Sequence, residues 1–532
     1  MATSDAEQSD KEQRAEEQKG KERVGQEPPL EEFYVKDQVL ITGPIDRIDQ
    51  VVQEIASRLE ELDVVLEPAG GEDKDLGLPL LDLMEDEGVI SCLRSILPDF
   101  SSCLDGQLGM RLYRIVRLQT DTRQPELVER VVRQINRAGR DACVFSGPNW
   151  LIGYPYSAAG SPYSAAGSPY SAAGSPFASP GTAVRPEDFW TQWSLERIGL
   201  IQNGMRTIGQ CGQGVRVGVF DTSPFAAAGR PVPSGWGHPP LLTVVHPEVF
   251  GQFPVPPPPA IDGVEPPDLS GHGLSVAGLV YAVAPHSDIY LYRVLDKHAQ
   301  GNLFVLCHAL LDFLRGAVSN PDAPNGAIIN LSLGLPLPPN WRHLVGTVWV
   351  FAFEVVLALA HCLGVTVVAS AGNESTRAGP AAPAEFPASL SHVVGVMACN
   401  HGDDRSCFSN EGNLTAPGGD GYDCGNGCEP ESENTDCSCP WNKVSDAERW
   451  KYGVIGPVFP SNEFPFGFAR WLGTSFAAPL VSGLAALVLD KGAGNLTPQQ
   501  VWITLRDNAR AAAGASPPEK IIDVPATLQN MP

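Results

Sequence analysis

The sequence predicts an α/β chain. A mostly parallel sheet flanked by helices fills its C-terminal two-thirds, behind a small ferredoxin-like α+β domain. Three observations predict this. From about residue 186 onward, apolar runs of strand length alternate with runs at helical spacing, as in a parallel sheet covered on both faces. Between about residues 30 and 153 the order reads β-α-β, an insertion, then β-α-β. The chain has 532 residues, 43% of them hydrophobic, which is enough for a large core and too long for one typical domain.

Composition also excludes. The formal charge is −25, and nucleic-acid binding needs basic patches, so no nucleic-acid partner is expected. The longest apolar-rich stretch, Val348 to Ala371, carries Glu354 and His361 and is divided by Gly364. It reads as a buried helix followed by a buried strand, and no membrane span is expected. Residues 1–29 are dense in Glu, Gln, Lys and Asp and hold no apolar segment of the kind a secretory signal needs. They read as a disordered, charged tail. The expected location is therefore cytoplasmic, with secretion as the alternative. Of the 12 cysteines, those inside apolar runs, such as Cys307 and Cys362, read as buried free thiols.

In the first domain, residues 30–153, Phe33 to Thr42 alternates like a strand. Ile45, Ile48, Val51, Val52, Ile55, Leu59 and Leu62 recur at helical spacing, and Val64 to Leu66 reads as a second strand. A polar, acidic stretch from Gly70 to Glu87 follows. Met110 to Leu118 then reads as a strand, Glu126 to Ile135 as a helix and Ala142 to Ile152 as the last strand. No catalytic constellation stands out here. Residues 154–185 hold a threefold repeat of Tyr-Ser-Ala-Ala-Gly-Ser-Pro between Tyr156 and Pro176, which cannot bury a core and reads as an exposed, flexible spacer, either a cleavage site or a tether that is never cut.

Residues 186–532 carry the chemistry. Val215 to Asp221 is a buried strand ending in a carboxylate, where parallel sheets place their sites. A Pro-rich connection leads to Gly271-His272-Gly273, a histidine opening a small-residue helix. The strand Ile289 to Leu295 follows. Ala327 to Gly334 and Gly364 to Gly372 are further buried strands, the second leading into Asn373, ordinarily a turn residue in such a context. Gly473-Thr474-Ser475-Phe476-Ala477-Ala478-Pro479 opens a long apolar helix. A serine there is most often an N-cap, yet the positive end of a helix also suits a nucleophile on which charge develops.

The extended string at Ser475 resembles the nucleophile segment of the subtilisin-like serine proteases, G-T-S-x-A-x-P. His272 and the residues after it resemble that family's H-G-T-x-V-A-G motif, with Leu274 in place of Thr. Trp193 to Ile198 resembles the start of its mature domain. The order Asp221, His272, Asn373, Ser475 is the family's order. The resemblance implies a serine endopeptidase acting on polypeptides, with Ser475 as nucleophile, His272 as general acid/base and Asp221 as orienter. Asn373 would be the oxyanion donor, and Ser332, Leu333 and Gly334 the edge that pairs with substrate. It also implies that residues 30–153 act as an inhibitory pro-domain, with an unrelated regulatory or docking domain as the alternative. Ser223 stands where the family usually has Gly. The calcium-binding loop that many members carry after the histidine helix is missing, so no cofactor is expected and no calcium at that site, though calcium elsewhere stays open. A catalytically silent peptide-binding protein and a narrow-specificity processing protease for one partner are the alternatives.

An acidic insertion at about 418–446 holds Cys424, Cys428, Cys437 and Cys439. Their spacing matches no common zinc module, and two disulfides, a metal site and free thiols all remain open.

Overall fold

The computed structural model describes residues 33–153, 184–420 and 453–531. Excepted within these are 71–77, 105–107, 119–125, 237–241, 256–267, 319–324, 338–342, 376–379, 513–519 and a few positions taken singly or in pairs. The charged tail, the repeats and the four clustered cysteines lie outside the described residues.

The N-terminal sheet runs in the order Phe145–Gly153, Tyr34–Pro44, Leu108–Arg117, Val64–Pro68, with all three pairings antiparallel. Two amphipathic helices, Ile45–Glu54 and Leu127–Gly139, pack on it through residues such as Ile48, Val51, Val131 and Ile135. That is the ferredoxin-like arrangement. The insertion adds a helix the sequence reading passed over, Glu87–Ile96, whose first turn is capped by the Asp86 carboxylate accepting from Gly88 N–H at 2.6 Å.

Among the described residues the main sheet has nine strands. Its central order is Leu414–Pro417, Val394–Cys399, Thr366–Ser370, Ala327–Leu331, Arg216–Asp221, Asp288–Arg293, all parallel. Alternate side chains enter two different cores, as the pleat requires. Val217, Val219, Ile328 and Val368 face the helices His272–Val283 and Thr474–Lys491. Phe220, Ile329, Val367 and Ala369 face the helices Leu303–Val318 and Phe351–Cys362. Thr474–Lys491 is the one helix among the described residues long and apolar enough to cross a membrane, and 89% of it is buried inside the protein.

The second core continues into the N-terminal domain. Phe351 packs between Phe100 and Phe145, with ring centroids 4.3 and 5.1 Å away. Trp150 Nε1–H donates to the Trp349 carbonyl (2.9 Å), and the Asn149 side-chain Oδ1 accepts from Phe304 N–H in the first turn of Leu303–Val318 (2.9 Å). Residues Leu151 to Gly153 pair antiparallel with Gln300–Asn302, and Gly153 N–H donates to the Gly334 carbonyl (3.1 Å). Gly153 sits at φ +93°, and a Cβ there would lie 2.0 Å from the Ala299 carbonyl oxygen, so no larger residue fits.

One expectation is corrected. Cys362 is bonded to Cys92, and Cys103 to Cys143. Its place inside an apolar run suggests a buried free thiol for Cys362, but local sequence cannot reveal a partner 270 residues away. Cys307 is a buried free thiol whose ionisation burial opposes.

At the far edge, Asp403 is clasped by Arg510 (2.5 and 2.8 Å) and by Arg197, which ties the start of this region to its end. Burial alone would raise the Asp403 carboxyl, but the hydrogen bonds and charges of Arg510 and Arg197 outweigh it and hold it below the usual range.

Candidate active site

Asp221 ends its strand and His272 opens its helix, so each side chain leaves a regular element at its first free position. His272 Nδ1 lies 2.8 and 3.0 Å from the two Asp221 oxygens, and both residues are buried. A carboxylate only accepts, so Nδ1 carries the proton of this contact and the basic lone pair of a neutral ring falls on Nε2.

Thr222, which the sequence reading did not single out, joins these two elements. Its N–H donates to Asp221 Oδ1 (2.6 Å), and its hydroxyl accepts from Gly273 N–H (3.0 Å) while lying 3.0 Å from the Leu269 carbonyl. A Cβ on Gly273 would meet the Thr222 carbonyl at 2.2 Å, so the glycine after the histidine is what lets the helix approach the acid. Ser223, in the family's glycine position, closes the local turn through its hydroxyl, which accepts from Phe225 N–H (3.3 Å). Ser275 Oγ donates to the Pro457 carbonyl (2.7 Å), anchoring the histidine helix to the hairpin of Val454–Pro457 and Phe468–Trp471.

Ser475 is the second residue of the Thr474–Lys491 helix, two positions past the capping Gly473, whose φ of +143° makes the entry turn. Phe476 packs edge-on against the His272 ring (5.0 Å) and against Trp471 (5.0 Å), which brings the serine and histidine elements together. Ser475 Oγ donates to the Ser332 carbonyl (3.3 Å), and Ser332 Oγ donates to the Ser475 carbonyl (2.8 Å). The predicted substrate edge and the predicted nucleophile are thus in direct contact.

Asn373 is oriented by Thr474, a second residue missed from sequence. Thr474 N–H (2.9 Å) and its hydroxyl (3.0 Å) both donate to Asn373 Oδ1. Because the backbone N–H can only donate, the amide must turn its oxygen to Thr474 and its NH₂ the other way. A neutral donor is thereby fixed beside the serine helix N-terminus, the arrangement an oxyanion needs. Among the described residues no group of three or more His, Cys, Asp or Glu converges as a metal site.

Comparison with known proteins agrees on the family. The peptidase S8 family, described as the subtilase family, matches residues 212–521. Subtilisin of Bacillus pumilus is 28% identical over 236 residues, covering 42% of this chain and 65% of its own. Proteinase T of Parengyodontium album is 33% identical over 233 residues, covering 42% of this chain and 60% of its own. The chain therefore spans less than two-thirds of the length of either relative. Among solved structures, the nisin leader peptidase NisP from Lactococcus lactis aligns with a TM-score of 0.45 at 21% identity, over 64% of this chain and 95% of that one.

Proposed function

Since this chain belongs to the subtilase family, we propose that it is a serine endopeptidase whose own N-terminal domain lies on its substrate edge. The observation that carries the catalytic reading is the buried Asp221–His272 contact beside the helix that presents Ser475. His272 Nε2 takes the Ser475 hydroxyl proton as Oγ attacks a peptide carbonyl. Asp221 holds the ring and stabilises the imidazolium that forms. The Asn373 amide and the Ser475 backbone N–H receive the oxyanion. Collapse breaks the C–N bond, and the proton on His272 passes to the leaving amine. Water then attacks the acyl-enzyme by the same base, and the acid product leaves.

The regulatory reading rests on the strand Leu151 to Gly153. It pairs with Gln300–Asn302 on one side and reaches the Gly334 carbonyl on the other. An extended substrate would use the same main-chain partners. The N-terminal domain would then compete with substrate.

The test is intact mass and fluorophosphonate labelling of full-length protein beside Ser475→Ala. Labelling in the wild type alone, with a cut between residues 154 and 190, is expected. A folded wild-type protein that takes no probe even after its N-terminal domain is removed would overturn the catalytic reading and leave a peptide-holding protein.

A further inference from the structure

The two halves are joined by more than packing. Cys92, on Glu87–Ile96, is bonded to Cys362, the last residue of Phe351–Cys362, with Cα atoms 5.6 Å apart. Both cysteines are half-buried, so the bond is within reach of a thiol in solution. The main-chain route between the halves passes through the Tyr-Ser-Ala-Ala-Gly-Ser-Pro repeats. Cutting that route does not separate the halves. The N-terminal domain stays attached beside its own interface, and the strand Leu151 to Gly153 can return to the Gln300–Asn302 edge as an intramolecular step. Tethers of this kind hold a partner at an effective concentration of roughly millimolar, far above that of a free fragment after dilution. The Cys103–Cys143 bond lies wholly inside the N-terminal domain and has no such effect.

We infer that the Cys92–Cys362 bond is a reducible latch. Once the repeats are cut, the N-terminal domain leaves the substrate edge only when a dithiol reductant opens this bond. The consequence for activity rests on the peptidase reading; the covalent retention does not. In the opening step a thiolate of the reductant attacks one sulfur, forms a mixed disulfide and expels the other cysteine as a thiolate. The second thiolate of the reductant then displaces the remaining cysteine. Two electrons pass from the reductant, which ends as a disulfide, and Cys92 and Cys362 each take up a proton as thiols.

Retention is read first, without catalysis. Full-length Ser475→Ala protein carrying a sequence-specific protease site within the repeats is cut, diluted and followed by size exclusion and non-reducing gels. The two halves are expected to remain one covalent species, and to separate after dithiothreitol or, without reductant, in Cys92→Ser or Cys362→Ser. Separation of the cut parent before reduction, or co-elution of the halves after it, overturns the latch. Activity is read next, with Ser475 intact and a fluorogenic peptide. Reduction should raise the rate of the cut parent at least about tenfold, given the effective concentration it removes. Cut Cys92→Ser should already be at the higher rate, and Cys103→Ser should keep the dependence on reductant. Equal, measurable rates for the cut parent and cut Cys92→Ser without reductant overturn the latch. If reduction frees the fragment but no form hydrolyses peptide, the latch stands and the peptidase reading fails.

Discussion

The two faces of the main sheet are built to different rules. Among the described residues, the face under His272–Val283 and Thr474–Lys491 is closed by this half of the chain alone, and its core contains no described residue before Val184. The opposite face, under Leu303–Val318 and Phe351–Cys362, shares one continuous core with the N-terminal domain, from Phe33 to Val393. The helices that open with His272 and present Ser475 pack on the self-sufficient face. The strand Leu151 to Gly153 belongs to the domain that shares the other core. On the proposed reading, a chain arranged this way can lose its N-terminal domain without disturbing the alignment of Asp221, His272 and Ser475, while the helices behind the sheet lose part of their cover.

Four substitutions test that division, from the largest expected effect downward. On the proposed reading, Asp221→Asn should lower kcat by about 10⁴, because the ring loses the acceptor that fixes its tautomer, the loss known for the Ser-His-Asp triad. Its melting temperature should change little, and a large drop would show that the site face depends on this contact for stability. Phe351→Ala, on the borrowed face, should cost about 3–5 kcal/mol in denaturant unfolding, since it empties the space between Phe100 and Phe145. If its active-site labelling rate changes as much as its stability, the two faces are not separable. Asn373→Ala should lower kcat by about 10²–10³ with little change in KM, a figure drawn from a subtilisin oxyanion donor. An effect mainly on KM would mean that the amide holds substrate in its ground state.

Asp403→Asn touches neither the site nor the N-terminal domain. It should cost about 2 kcal/mol, below the usual loss for a buried pair because both arginines are partly exposed. The Asp403 carboxyl is held below its ordinary range in the folded protein. Its contribution is therefore complete above the unfolded carboxylate value and fades as pH falls through the depressed folded one. Acid titration of stability should be shallower in Asp403→Asn than in the parent. Parallel curves would remove this ion pair from the acid response.

What was legible in the sequence followed from local chain grammar. A buried run ending in Asp221, glycines around His272 and a small-residue helix after Ser475 each announce an element and its end, and the structure puts each residue at that end. The β-α-β order likewise set the antiparallel N-terminal sheet. Thr222 and Thr474 were not legible, because a threonine hydroxyl acquires its role only when the element it serves arrives from about 50 or 100 residues away. The Glu87–Ile96 helix was legible in principle from Asp86 followed by Val89, Ile90 and Leu93, but the acidic stretch before it masked the signal. The bond between Cys92 and Cys362 was beyond reach, since spacing says which cysteines face inward and never which two will meet.

Asn149 carries a last consequence. Its side chain answers the Phe304 N–H in the first turn of a helix that belongs to the other half of the molecule, while its own NH₂ donates to Gln38 Oε1 (2.7 Å). A helix whose opening donor is satisfied by a neighbouring domain is not a portable module. Recombination that paired this catalytic half with a foreign N-terminal domain would leave a buried donor unanswered, so the two halves are expected to be inherited, and to diverge, as a pair.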